Sequence, residues 1–113
     1  MADLKKFYHA TKFENLVSIL EKGIHRGADG VVYLADSPKA ALKFVCLRGW
    51  DPILVAEVEL NKAEVEESFD HSFAFFKERA WAYPKDIPAS AVKDLQKYEM
   101  RRFRAGLDLA NEG

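Results

Sequence analysis

A continuous run of β-branched and aromatic residues, Val31-Val32-Tyr33-Leu34, is followed almost at once by Asp36-Ser37-Pro38. The run reads as a buried strand. Ser37 carries a side-chain oxygen able to accept an orphan N–H at a helix start. Pro38 suits the first helical position, where its missing N–H is not needed. A strand that hands over this abruptly to a helix restricts the chain to short elements in mixed layers.

The same order appears upstream. Lys6 to His9 is an aromatic-rich run that suits a strand. Thr11-Lys12-Phe13-Glu14 matches a capping box, with Thr11 as cap and Glu14 reaching back. This predicts a helix over about 12–22, packed through Phe13, Leu16, Val17 and Leu20, widened by Ile19 and stopped at Gly23. Gly27 and Gly30 bracket a loop with Asp29-Gly30 as its turn signal. In the second helix Ala40, Ala41, Phe44 and Val45 supply the apolar face, and Gly49 marks the end.

Residues 53–60 alternate. Leu54, Ala56, Val58 and Leu60 point one way, and Ile53, Val55, Glu57 and Glu59 the other, as in a strand whose second face is covered at one end only. The acidic 61–67 stretch reads as a surface segment. Residues 68–78, with Phe69, Phe73, Phe75 and Phe76, fit helix and loop alike. Arg79 to Tyr83 reads as a strand that Pro84 ends, Ile87-Pro88 as a turn or edge, and Val92 to Tyr98 fits either helix or strand. The expected fold is α+β, with small twisted mixed or antiparallel sheets and two helices. The strands at about 6–10, 31–34, 53–60 and 79–83 are expected in one sheet system. A single domain is expected over 1–98, with a charged tail over 99–113.

Composition narrows the function classes. The chain has 113 residues, a formal net charge of −1 and one cysteine, Cys46. No global field recruits nucleic acid or anionic membrane. An intramolecular disulfide is impossible and a thiolate zinc site is disfavoured, so no metal is expected. No apolar stretch approaches the roughly 20 residues of a membrane helix, and the start lacks a secretory h-region, which makes the cytoplasm the expected location. Dinucleotide-fold glycine fingerprints, P-loops, zinc-protease helices and nucleophile elbows are all missing. Cys46, beside Phe44 and Val45, reads as a buried structural residue. Asp70-His71-Ser72 and the Arg101–Arg104 cluster read most simply as solvated surface.

The informative pattern is an ordered set: Tyr8-His9-Ala10-Thr11, the helix with Ser18-Ile19-Leu20, Gly23-Ile24, then Val32-Tyr33-Leu34-Ala35-Asp36-Ser37. Over residues 7–45 this resembles the ADP-ribosyltransferase-like superfamily, which includes the DNA-targeting toxin ADP-ribosyltransferases and the RNA 2′-phosphotransferases. The resemblance extends more weakly to 53–60 and to Tyr83-Pro84 and Ile87-Pro88. It implies a protein that takes NAD as substrate, releases nicotinamide and passes ADP-ribose to an acceptor that could be protein, nucleic acid or a small molecule. It also implies roles. His9 would bond a ribose hydroxyl, the Ala10 backbone (glycine in the family) would hold the nicotinamide carboxamide, and Thr11 would lie near the ribose. Tyr33 would stack on the nicotinamide ring. Ser37 falls in the matched segment as a further NAD-binding position. Phe44 stands where the diphtheria-toxin-like branch has a second stacking tyrosine.

Nicotinamide–ribose cleavage builds positive charge on the sugar and needs an anion nearby. Counting back from Tyr83-Pro84 puts Ala80 where the family carries its catalytic Glu. Glu78, two residues earlier on the same strand face, is the carboxylate that remains to act with His9 and Tyr33. Two other readings share the fold: a non-catalytic nucleotide- or partner-binding module, and an RNA 2′-phosphotransferase. The latter is disfavoured because Tyr8 occupies the position of a family arginine.

Overall fold

The computed structural model describes residues 3–68 and 79–100. Six strands and two helices follow in the order β1 (Leu4–Lys12), α1 (Leu16–Lys22), β2 (Val32–Ala35), α2 (Pro38–Val45), β3 (Ile53–Asn61), β4 (Glu66–Ser68), β5 (Ala80–Tyr83) and β6 (Val92–Tyr98). The fold class is α+β. The strands form one sheet in the order β4-β5-β2-β1-β3-β6, and every pairing in it is antiparallel. The strands expected near 6–10, 31–34, 53–60 and 79–83 all belong to it. The ambiguous 92–98 stretch is the edge strand β6, paired with β3 from Ile53↔Tyr98 onwards. Glu66–Ser68, at the end of the expected 61–67 surface segment and the start of the ambiguous 68–78 stretch, is the opposite edge strand.

β1 and β3 form the spine. They pair without interruption from Leu4↔Asn61 to Lys12↔Ile53. One side of the sheet buries Phe7, Leu34, Leu54, Ala56 and Val58 against Ile19 of α1 and against Ile24 and Ile87. The other side buries Ala35, Ile53 and Val55 under Ala41, Leu42 and Val45 of α2, with Met100. The helix α2 reaches only the start of β3. Ile53 to Ala56 are therefore buried on both faces, while Glu57 and Glu59 stay half-exposed. Burying each large aliphatic of this set is worth about 1.5–3 kcal/mol.

The second helix starts as its sequence dictates. Ser37 Oγ accepts from the Ala40 N–H at 3.1 Å, and Pro38 sits in the first turn. The first helix does not. Thr11 and Lys12 remain in β1, a 3-10 turn occupies Phe13–Asn15, and α1 begins only at Leu16, so the capping box does not form. The ladder to β3 keeps Thr11 extended opposite Leu54, where a capping geometry would forfeit the last backbone pairs. Thr11 Oγ1 instead accepts from Asn15 Nδ2 at 2.8 Å. The packing face is also corrected. Ile19 is buried and Phe13 and Leu16 lean on the core, whereas Val17 and Leu20 are 62% and 61% exposed. At the end of α1 the backbone turns at Gly23, whose φ is +78°. A Cβ there would lie 2.7 Å from Ala89 N and 2.8 Å from Pro88 C, so only glycine fits. The tight approach lets Ile24 and Ile87 exchange two backbone bonds of 2.8 Å.

A seam in the sheet as candidate functional site

In the ladder between β1 and β2 a single pair forms, Tyr8↔Ala35. Beyond it, β1 runs on to Lys12 in register with β3 while β2 turns away, so the sheet opens between His9–Thr11 and Val32–Tyr33. A cleft of about 800 Å³ occupies this seam, within the usual range for small-molecule sites. His9, Ala10 and Thr11 line it from β1, Tyr33 from β2 and Phe44 from α2. The sequence pattern had grouped these five residues, and they share one cleft.

His9 spans the seam. Its Nδ1 lies 2.9 Å from the Tyr33 carbonyl oxygen. A carbonyl only accepts, so Nδ1 carries the hydrogen. Burial pushes the imidazole pKa below its ordinary value, against the smaller opposing pull of the Tyr33 carbonyl. The ring is thus neutral near pH 7, and Nε2 is an acceptor suited to a hydroxyl donor. Thr11 Oγ1 already accepts from Asn15, which leaves its own proton to donate. Tyr8 also lines the cleft, and its hydroxyl donates to Glu57 Oε1 at 3.0 Å. Burial, then Glu57, raises the Tyr8 pKa.

The strand expected to be buried is not buried throughout: Val32 and Leu34 are, but Tyr33 is 39% exposed. Alternation on β2 points it to the side opposite Val32 and Leu34. Ser37 does not line the cleft, and its hydroxyl oxygen is engaged in capping α2.

The far wall comes from loops. Gly30 N–H donates to Gly27 O and Gly27 N–H to Val31 O, each at 3.0 Å, closing the turn that brings Asp29 to the cleft. Asp86 anchors the loop's first part, accepting from the Arg26 backbone N–H at 2.8 Å and contacting His25 Nδ1 at 3.4 Å. The Arg26 N–H is the main reason the Asp86 pKa is depressed. Past α2, a 3-10 turn ends at Gly49 with φ +77°, and Arg48 and Trp50 on either side both line the cleft. Sequence reasoning missed His25, Asp29, Arg48 and Trp50. The glycines beside them were its only trace.

At the acid position the strand carries Ala80, buried and lining the cleft, opposite Ala35 of β2 and Ser68 of β4. Glu78 lies outside the described residues, as do Asp70, His71, Ser72, the phenylalanines of 69–76 and Arg101 to Arg104. Among the described lining residues Asp29 is the one carboxylate. No group of three His, Cys, Asp or Glu gathers to hold a metal among the described residues, and no helix there is long and apolar enough to cross a membrane. Cys46, at the C-terminal end of α2, is buried in the core on that side of the sheet. The chain matches no family model, and no curated protein matches it.

Proposed function

We propose that this protein is an ADP-ribosyltransferase-like enzyme that binds NAD in the seam between β1 and β2, releases nicotinamide and transfers ADP-ribose to a protein or nucleic-acid acceptor. The observation that carries the reading is the shared lining of one cleft by His9, Ala10, Thr11, Tyr33 and Phe44. The chemistry fits the groups present. Neutral His9 Nε2 accepts a ribose hydroxyl, Thr11 donates a second bond, and the β1 backbone at Ala10 offers amide groups to a carboxamide. Tyr33, with Phe44, supplies aromatic surface for the nicotinamide ring. Holding ring and sugar fixes the bond to be broken. A carboxylate facing the ribose stabilises the charge that develops there, and Glu78 is the residue assigned that task.

The experiment has two parts. NAD in excess raises the melting temperature of the wild type by mass action, and Tyr33→Ala removes most of that rise. Nicotinamide release falls by at least ~100-fold in Glu78→Gln while NAD binding persists. A wild type whose melting ignores millimolar NAD refutes the proposal.

The second reading is a non-catalytic nucleotide-binding module, favoured by Ala80 at the acid position. It requires NAD binding without nicotinamide release from the wild type, with or without added protein and nucleic acid.

A further inference from the structure

The cleft is chemically uneven. His9 and Tyr33 line it from β1 and β2. Arg48 and Trp50 line it from the chain that follows the C-terminal end of α2. The Arg48 guanidinium carbon lies 5.1 Å from the centroid of the Trp50 ring. Lys12 Nζ is 5.4 Å from the same ring but also 3.8 Å from Glu14 Oε1, so its charge is partly balanced. No carboxylate lies within ion-pair distance of Arg48 among the described residues. A guanidinium laid on an indole keeps its N–H edge free and is held in place before any ligand arrives. That edge matches two oxygens of a phosphate, which it binds in fork geometry.

We propose that Arg48, steadied by Trp50, is the phosphate-binding residue of the cleft, so that a nucleotide lies with its nicotinamide ring towards Tyr33 and its phosphates towards Arg48. The inference rests on the NAD reading for the identity of the ring, and on Arg48 and Trp50 alone for the phosphate. It gives a role to a cation that has no carboxylate at ion-pair distance among the described residues, in a cleft whose one described lining carboxylate is Asp29. Arg48 also sits in the last turn after α2, where a cation complements the helix dipole. A purely structural role would therefore show in stability and leave ligand preference unmoved.

The test compares wild type with Arg48→Gln and Arg48→Lys by calorimetric titration of NAD, nicotinamide riboside and inorganic pyrophosphate. The expected result is a loss of at least ~10-fold in NAD and pyrophosphate affinity for Arg48→Gln, with nicotinamide riboside affinity unchanged. Arg48→Lys, which keeps the charge and loses the fork, falls between. Equal effects on NAD and nicotinamide riboside, or no effect on either, overturn the proposal. A wild type that binds pyrophosphate through Arg48 but not NAD overturns the NAD reading and leaves the phosphate site standing. A wild type that binds none of the three overturns both.

Discussion

His9 and Tyr33 are joined across the seam by a 2.9 Å hydrogen bond, from an imidazole nitrogen on β1 to a main-chain oxygen on β2. It links the two strands where their own ladder has stopped after Tyr8↔Ala35. One side chain thus closes the sheet and, with its other nitrogen, equips the cleft.

The pH dependence of stability follows from that placement. The folded pKa of His9 lies below its unfolded value of about 6.5. Between the two values the unfolded chain binds more protons, so stability rises with pH in that window. It is fully present above about pH 6.5, falls as pH drops below that, and levels off under the folded pKa. Urea unfolding at pH 7.5 and 5.5 is expected to show a larger acid loss for wild type than for His9→Asn, which keeps a short N–H donor and cannot titrate. Asp86, with its own depressed pKa, acts only in the more acidic carboxylate range. Equal losses in the two proteins would contradict the neutral, bridging His9.

Ser37→Ala separates capping from ligand binding. The variant leaves the Ala40 N–H without its side-chain acceptor. The expected destabilisation is about 1 kcal/mol in urea. NAD affinity, read by titration, is expected to match wild type because Ser37 lies outside the cleft lining. A drop in affinity larger than the stability change would return Ser37 to the site.

Gly23→Ala tests the close approach that fixes the far wall. The new Cβ meets the backbone of Pro88 and Ala89, and the residue must hold φ +78°. These are unyielding atoms rather than the end of a side chain, so the expected destabilisation exceeds about 2 kcal/mol. The Ile24–Ile87 bridge next to it weakens, and the loop carrying His25 and Asp29 loses its anchor. Thermal unfolding reads the first effect, and the NAD-induced shift in melting temperature reads the second.

The parts of the fold legible in the sequence were those decided locally. Ser37-Pro38 starts a helix because cap and proline act on adjacent backbone groups, and the structure keeps both. The alternation at 53–60 was legible because each face of β3 meets a continuous environment. Thr11-Lys12-Phe13-Glu14 misled because an equally good local signal competed with nine residues of pairing to β3, a distant partner that periodicity does not report. Val17 and Leu20 misled for a related reason. A helix of seven residues touches the core mainly through Ile19, so the apolar stripe is wider than the surface that covers it. β4 has no apolar residue to announce it and exists because β5 offers an edge. In the cleft, the residues on β1, β2 and α2 were legible as a motif. Arg48, Trp50, His25 and Asp29 were not, because loops carry side chains into a site without any repeating spacing.

The interrupted contact between β1 and β2 has one more consequence. From His9 to Thr11 the spine strand keeps its partner on the β3 side and, among the described residues, has no strand partner on the other. A planar primary amide is, atom for atom, the hydrogen-bonding half of a peptide unit, with one carbonyl and N–H groups in the same plane. A molecule presenting such a group in the gap fills the place of the absent backbone and acts as a one-residue prosthesis for the sheet. Recognition would then be written in main-chain rather than side-chain chemistry.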